Sequence, residues 1–183
     1  LEKTTLNEIQ EDYVDIMRSS SFLLLELIND ILDISKIEAG KLSLETVPFN
    51  LESIVRSLEK MMKLEADKKS VSLDIIVDKR VPKILSGDPV RFKEILINLI
   101  SNSIKFTDYG YVKVNIDINK ENNNEVELCC TVEDSGIGIS EKNIGKLFKS
   151  FTQSDSSITR RFGGSGLGLT ISKAYTEMLG GKI

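Results

Sequence analysis

The chain has 183 residues, of which 40% are hydrophobic and 28% are charged. That length is enough for one well-cored domain and a smaller appendage, and the composition is typical of a globular protein. The formal net charge is −4 and the sequence contains no stripe of basic residues. Binding to nucleic acid through phosphate contacts is therefore not expected.

The cysteines and the hydropathy pattern bear on where the protein works. Cys129 and Cys130 are adjacent in a predicted strand, so their side chains should point to opposite faces, and the chain has no histidine. We expect ordinary buried thiols and a reducing compartment, not a disulfide framework or a zinc site.

The sequence shows no segment that would insert into a membrane. Residues 22–28 are too short to span a membrane, no signal peptide opens the chain, and the first residue is leucine. We expect a fragment of a longer protein, a cytoplasmic domain whose parent can be membrane-anchored.

The first predicted element is a long helix from about Asn7 to Ala39. Apolar residues recur along it at three-to-four spacing: Ile9, Ile16, Leu24, Leu27, Ile28, Ile31 and Ile34. Gly40 stands where a C-terminal cap belongs. A helix this long cannot bury such a stripe against itself. Packing on its own domain is one alternative, but the length favours a partner helix from another chain.

The next elements alternate between helices and strands. Pro48 marks a boundary between two units, and Asn50 is placed to cap a helix that ends near Lys68. The inward side chains of that helix are predicted to be Leu51, Ile54, Val55, Leu58, Met61 and Met62. Residues 71–77 alternate as a strand, and two alternating runs at 111–118 and 125–132 predict a hairpin. Further helices are predicted at about 89–106, 142–148 and 166–179. This order predicts an α+β fold, a two-layer sandwich with one helical layer on one sheet.

Polar residues follow one face of the helix that begins after Asp88. Glu94, Asn98 and Asn102 are four residues apart and Lys105 continues the row, so they lie along one side of the helix. Asparagine is disfavoured inside helices, amide carbonyls can ligate Mg²⁺, and an ammonium group can meet a phosphate. On this pattern alone a solvated polar face is an equally good interpretation.

Two glycine-containing segments follow. Asp134-Ser-Gly136-Ile-Gly138-Ile139 comes directly after a strand, where a carboxylate can accept a hydrogen bond from an exocyclic amine and glycines let a flat ring approach. A simple turn explains it equally well. Gly163-Gly164-Ser165-Gly166-Leu167-Gly168-Leu169 leads into a helix, which makes an anion site, and Arg160 and Arg161 add positive charge. Its spacing fits neither the dinucleotide fingerprint nor the P-loop.

The long segment between the two glycine patterns contains Phe148 and Phe151. For Phe148 we favour packing against the core. The position of both aromatic residues inside a glycine-bounded stretch is also typical of a lid over a ligand.

Taken in order, these patterns resemble the N box, first glycine box, F box and second glycine box of histidine kinases, whose nucleotide fold also occurs in DNA gyrase B, MutL repair ATPases and a heat-shock chaperone. The matching residues are Asp88-Pro-Val-Arg, Asn98-Leu-Ile-Ser-Asn102-Ser-Ile-Lys105-Phe106-Thr107 and the two glycine segments. Leu27-Ile-Asn-Asp-Ile-Leu-Asp-Ile-Ser-Lys-Ile-Glu-Ala-Gly40 resembles the second dimerisation helix of hybrid kinases.

The resemblance implies an ATP-binding fold of the Bergerat type, with a mixed sheet and helices on one face, preceded by a long dimerisation helix. It implies ATP and Mg²⁺ as cofactors. Asp134 would recognise the adenine amino group, Asn102 would ligate Mg²⁺, and Asn98 and Lys105 would hold the phosphates. Glu94 could orient a water or only a neighbour. The other implied nucleotide-binding residues are Phe106, Gly136, Gly138, Ile139, Arg161, Gly164, Gly166, Leu167 and Gly168.

The resemblance also implies two domains with known gaps. Residues 1–42 match a partial dimerisation hairpin without its acceptor helix, and residues 43–183 match the catalytic domain without its last hairpin. The acceptor histidine of the family is absent, since the chain contains no histidine. Two smaller departures are Ser103, where alanine is usual, and Ser165, where threonine is usual.

Three functions compete. The leading one is the ATP-binding catalytic part of a two-component sensor histidine kinase. It would transfer the γ-phosphoryl group to a histidine outside this chain, for relay to a response-regulator receiver. The parent protein would dimerise through the N-terminal helix. The fragment alone should not autophosphorylate. A non-catalytic nucleotide-binding or dimerisation module is the second. The third is a gyrase- or MutL-type ATPase, which would need a glutamate where this chain has Asn98.

Overall fold

The computed structural model describes residue 4 and residues 6–122, 125–148 and 166–183. The chain divides into two compact units, Leu1–Leu42 and Ser43–Ile183. The lid segment with Phe151, and the predicted site residues Arg161 and Gly164, lie outside the described residues. No helix in the described ranges is long and apolar enough to cross a membrane.

The described part of the first unit contains one helix, α1, at Glu8–Glu38. Asn7 and Gln10 form a capping box at its start. At its end Gly40 adopts φ +62°, and the amides of Gly40 and Lys41 bond back to Ile37 and Lys36. This is the Schellman arrangement that glycine favours, and it confirms the predicted end of the helix. The apolar stripe is exposed; Ile9, Ile16, Leu24 and Ile31 are 50–65% accessible.

The second unit begins with a two-stranded ribbon that the sequence patterns did not predict. Strand β1 at Val47–Asn50 pairs antiparallel with β3 at Ile84–Gly87. Pro48 therefore lies inside a paired strand and not in a plain linker. A ribbon of two strands has only outer edges, which is where proline is tolerated.

Helix α2 at Leu51–Lys68 begins at the predicted cap, because the Asn50 side chain accepts a hydrogen bond from the Ser53 amide at 3.1 Å. Its buried face is Leu51, Val55, Leu58, Met62 and Ala66. The prediction that Met61 points inward is wrong, since Met61 is 44% exposed. Met62 follows Leu58 by four residues and takes the inward position, so Met61 lies beside the stripe.

Among the residues that the structure describes, the main sheet has three strands in the order β2, β4, β5. Strand β2 at Val71–Val77 is parallel to β4 at Gly110–Glu121, and β5 at Val126–Asp134 is antiparallel to β4. The sheet is therefore mixed, and the predicted hairpin is confirmed. Val112, Val114 and Ile116 of β4 are fully buried beneath α2 and α3. The predicted two-layer sandwich is confirmed.

The two cysteines do lie on opposite faces of β5, but only one is shielded. Burial raises the pKa of Cys130 to about 12, whereas Cys129 is exposed on the face without helices. The expectation of two buried thiols is therefore wrong for Cys129, because the outer face of the sheet is open in the part of the chain that the structure describes.

The remaining helices of the described ranges are α3 at Pro89–Phe106, α4 at Glu141–Ile144 and α5 at Gly168–Met178. Helix α4 is shorter than predicted and continues as turns to residue 148. Helix α5 packs on α3, which brings Gly168 to the polar face of α3.

Candidate functional site

Helix α3 is the element around which the predicted site residues gather, and its start is fixed by Asp88. One carboxylate oxygen of Asp88 accepts hydrogen bonds from the amides of Val90 and Arg91, both at 3.0 Å. The other accepts the Glu45 amide at 3.1 Å. Burial alone would raise the pKa of Asp88, but these three amides outweigh it and hold that pKa below its ordinary value.

The two asparagines on the polar face of α3 form a chain of hydrogen bonds. Asn102 Nδ2 donates to Asn98 Oδ1 at 3.1 Å, and Asn98 Nδ2 donates to Ser172 Oγ of α5 at 2.6 Å. Both polar atoms of the Asn98 side chain are therefore used within the protein. Asn102 Oδ1 receives no hydrogen bond from any described residue, so an amide carbonyl oxygen is left available to a cation.

The second glycine segment reaches this face of α3 at Gly168. A Cβ on Gly168 would collide with Asn98 Oδ1, so any larger residue at this position would have to displace the Asn98 side chain. Gly166 adopts φ +70°, and Leu167 is 1% exposed. Leu167 gives α5 no side-chain cap. The first-turn amides of a helix have no acceptor within the helix, so this end of α5 suits an anion beside Asn98 and Asn102.

Glu94 lies two turns before Asn102 and is part of an ion pair. Its carboxylate is 2.6 Å from the Arg91 guanidinium. Arg91 also donates to the Tyr175 hydroxyl at 2.9 Å and lies 4.7 Å from the centre of the Tyr175 ring. Tyr175 is a buried residue of α5, so this group helps to join α5 to the first half of α3.

The first glycine segment lies at the other end of α3. Asp134 is the last residue of β5, and its Oδ1 accepts the Gly136 amide at 2.9 Å. The Ile137 amide donates to Phe106 O at 3.2 Å. A Cβ on Gly136 would collide with the same Phe106 oxygen. The second oxygen of Asp134 accepts from no described residue and is open to a ligand donor.

Gly136 also lies against Thr107. A Cβ at Gly136 would come within 2.9 Å of Thr107 Oγ1. Thr107 is fully buried, and its hydroxyl has no hydrogen-bond partner among the described residues. An unsatisfied buried polar atom is unusual in a folded protein, and a bound water or ion, strain or a catalytic role can account for it.

The other predicted residues lie around the same turn. Lys105 Nζ is 5.3 Å from the centre of the Phe106 ring. Gly138 adopts φ +69° with open space beside it, and Ile139 is 56% exposed. The structure thus brings the predicted residues together at two places along α3: Asn98, Asn102 and Gly168 at one, and Phe106, Asp134 and Gly136 at the other.

Several residues of this site were not selected from the sequence. Four residues of this kind contact the predicted site residues or their neighbours: Ser172, Tyr175, Thr107 and Lys69. Ser172 and Tyr175 follow the second glycine segment on the buried face of α5, so helical periodicity could have placed them. Thr107 stands in the row of residues that matches the family pattern, although no role was assigned to it there. Lys69 carries no comparable signal.

The oxygen atoms around Asn102 decide whether this site can hold a magnesium ion. Among the described residues no group of three or more histidine, cysteine, aspartate or glutamate side chains could hold a metal by itself. Mg²⁺ is often bound by one or two protein oxygens together with phosphate oxygens and water. The available Asn102 oxygen beside an anion-favouring helix end fits that requirement.

The match to known proteins agrees with this geometry. The family model of histidine kinase-, DNA gyrase B- and HSP90-like ATPases matches residues 87–183. The chain belongs to this family. Sensor histidine kinase GacS of Pseudomonas protegens is 42% identical over 183 residues, which is all of this chain and 20% of that protein. Hybrid signal transduction histidine kinase L of Dictyostelium discoideum is 44% identical over 175 residues, 96% of this chain and 10% of that protein.

A solved structure is similar over nearly the whole chain. Full-length ShkA in complex with AMPPNP has a TM-score of 0.80 at 28% identity, covering 98% of this chain and 36% of that one. These matches confirm the predicted ATP-binding fold and the resemblance to sensor histidine kinases. The chain spans only about a fifth of GacS and about a tenth of the Dictyostelium kinase.

Proposed function

We propose that this chain binds Mg-ATP and is the catalytic part of a hybrid sensor histidine kinase, transferring the γ-phosphoryl group to a histidine that another helix supplies. The observation that carries the proposal is the arrangement along α3. An available amide oxygen and a helix end whose N-cap side chain makes no hydrogen bond lie at one part of this helix, and a carboxylate with a glycine turn lies at its end. These are the groups that phosphates with Mg²⁺ and an adenine ring require.

The adenine is bound at the end of β5. The open oxygen of Asp134 accepts the exocyclic amino group, and Gly136 and Gly138 let the ring approach the backbone. Phe106 and Ile139 flank this turn. The complex of ShkA with AMPPNP supports a nucleotide in a chain of this fold.

The phosphates lie between α3 and the start of α5. Asn102 Oδ1 ligates Mg²⁺, which when bound neutralises charge on the phosphate oxygens. Lys105 and the amides of Gly166, Leu167 and Gly168 hold the phosphates. Asn98, predicted beside them, fixes Asn102 and Ser172 in place. Arg161 and Gly164 complete the phosphate contacts in this proposal.

Glu94 and the two units have further proposed roles. The ion pair with Arg91 favours Glu94 as a residue that orients its neighbours, not a water. Residues 1–42 belong to a dimerisation hairpin and residues 43–183 to the ATP-binding domain. The exposed stripe of α1 supports a homodimer. The similarity to kinases named as hybrid supports a response-regulator receiver as the next acceptor.

The test supplies the missing acceptor. The 183-residue chain is mixed with a histidine-bearing dimerisation hairpin of a related kinase and γ-labelled Mg-ATP. We expect acid-labile, base-stable label on the hairpin. Asn102→Ala should abolish transfer, whereas Asn119→Ala, a control on an exposed strand position, should not affect it.

Two other results would support the competing functions. Nucleotide binding without label on the histidine would favour a non-catalytic module. Sustained ATP hydrolysis without the hairpin would favour a gyrase- or MutL-type ATPase, although Asn98 cannot act as the general base that such hydrolysis uses.

A further inference from the structure

The carbonyl groups at the C-terminal end of α3 are not capped by the backbone that follows the helix. The last four carbonyl groups of a helix have no partner within it, and in α3 these belong to residues 103–106. The cap residue Thr107 is extended, with φ −106° and ψ 114°, so no left-handed residue turns the chain back onto these carbonyls. Only a long hydrogen bond of 3.4 Å links the Thr107 amide to Ile104 O.

A lysine side chain from a distant part of the sequence caps this end of the helix instead. Lys69 Nζ donates to Ile104 O at 2.9 Å, to Lys105 O at 2.7 Å and to Thr107 O at 3.2 Å. An ammonium group has three N–H donors, which matches three acceptors. Its positive charge also meets the negative end of the helix dipole.

Lys69 is itself held firmly. It is the C-cap of α2, where its amide bonds to Ala66 O and Asp67 O, and Ala66 is fully buried in the core. Ser70 then adopts φ +56° and turns the chain into β2. The ammonium group therefore extends from a fixed point, and its three acceptors are fixed with it.

The last carbonyl of the helix joins the site itself. Phe106 O accepts the Ile137 amide from the turn that follows Asp134. Lys69 donates to the carbonyl oxygens of Lys105 and Thr107. These two residues are the direct neighbours of Phe106 in the chain. Lys69 thus holds the short segment that carries Lys105 on one side and supports the Asp134 turn on the other.

We propose that Lys69 is a positioning residue for the nucleotide, which sets the distance between the adenine turn at Asp134 and the phosphate-binding residues of α3. This inference rests on the proposed function. Lys69 does not touch the nucleotide. It acts through the backbone of residues 104–107, whose displacement would move the Lys105 side chain and the Phe106 oxygen together. The alternative is that Lys69 only adds stability as a helix cap.

Calorimetric titration of Mg-ADP into the 183-residue chain separates the two roles. At a temperature where circular dichroism shows every variant folded, Lys69→Met should weaken binding by roughly tenfold or more, because bonds to a charged donor are lost. Lys69→Arg, which keeps the charge and the donors, should restore most of the affinity. Lys68→Met removes an adjacent exposed lysine and should bind like the parent.

Hydrogen exchange of the nucleotide-free chain gives a second readout. Lys69→Met should speed exchange in peptides covering residues 134–139, and Lys68→Met should not. If Lys69→Met does not fold, Lys69→Gln, which keeps two N–H donors without the charge, takes its place with the same expected results. A variant that unfolds at lower temperature but keeps the parent affinity and exchange would overturn the inference. If the parent itself does not bind Mg-ADP while exchange changes as described, the proposed function fails and the backbone coupling stands.

Discussion

Thr107 departs from the usual rule that buried polar groups are hydrogen-bonded. Its buried hydroxyl lies against Gly136 without a partner among the described residues. A buried donor without an acceptor is destabilising, and an apolar group of the same shape avoids that cost. We therefore predict that Thr107→Val leaves the free energy of unfolding unchanged or raises it by up to about 1–2 kcal/mol.

Urea unfolding of the nucleotide-free chain checks this prediction. The matched control is Thr131→Val on the open face of β5, where the hydroxyl is exposed and its one partner among the described residues is the Cys129 thiol at 3.9 Å. A loss of stability beyond about 1 kcal/mol in Thr107→Val would mean that the hydroxyl has a partner.

Single residues show why the site could be predicted only in part. Asp134, Asn98, Asn102 and the glycines stand in local patterns that resemble those of a known family. Spacing alone left a solvated face or a simple turn as equally good interpretations. Lys69 contributes through bonds to residues 35–38 positions away, and no local pattern records such a distance. The Arg91 bond to Tyr175 spans 84 positions, so its role depended on the packing of α5 against α3.

At the scale of elements, α3 depends on the Asp88 carboxylate at its start. Removing this carboxylate leaves the amides of Val90, Arg91 and Glu45 without their hydrogen-bond acceptor. Asp88→Ala should therefore lower the free energy of unfolding by about 2 kcal/mol near neutral pH. The pKa of Asp88 is lowered in the folded protein. Its ionic contribution is therefore present above about pH 4 and is lost as the pH falls through the lowered value.

The difference in stability between the parent and Asp88→Ala should accordingly shrink as unfolding is measured at pH values falling below about 4. Asp74→Ala on the exposed face of β2 is the control and should change little at any pH. An unchanged difference at acid pH would show that the carboxylate charge does not contribute.

Helix α5 offers a test in which two effects oppose each other. Alanine is favoured over glycine in a helix by about 1 kcal/mol, but a Cβ at Gly168 would collide with Asn98. The Asn98 side chain is held by two hydrogen bonds and cannot move aside freely. We predict that Gly168→Ala lowers the melting temperature and weakens Mg-ADP binding.

Gly145→Ala is the matched control, because nothing lies within 4 Å of a Cβ at that position. It should leave both the melting temperature and the affinity close to the parent values. A Gly168→Ala chain that is stabilised and binds nucleotide normally would contradict the close approach of α5 to α3.

Among the elements, length decided what could be predicted. The long helices and the three strands of the main sheet carry clear periodicity and capping residues, and they were found. The β1–β3 ribbon was missed because each strand has four residues, too few for a pattern, and because their pairing joins segments that are far apart in sequence. Met61 was misplaced because three- and four-residue spacings both lie near one helix face.

At the scale of the whole molecule, the apolar stripe of α1 predicts self-association. Ile28 and Ile31 are 44% and 50% exposed, and an apolar face of this length is stable in water only when another helix covers it. Ile28→Glu combined with Ile31→Glu should shift the chain toward monomer in light scattering after size-exclusion chromatography, and nucleotide affinity should not change.

Ser19→Glu combined with Ser20→Glu, which adds the same charge at exposed polar positions of α1, is the control and should leave the association state unchanged. A parent chain that is monomeric at high concentration would contradict self-association through α1.

The most direct measurement is calorimetric titration of Mg-ADP into the parent chain and into Asp134→Asn, which keeps the size of the side chain but not its charge. We predict one site per chain in the parent and a large loss of affinity in the variant, with Asp74→Asn, an exposed position on β2, binding as the parent does. Equal binding by the parent and Asp134→Asn would contradict an adenine site at the end of β5, and no binding by a folded parent chain would contradict the nucleotide site as a whole.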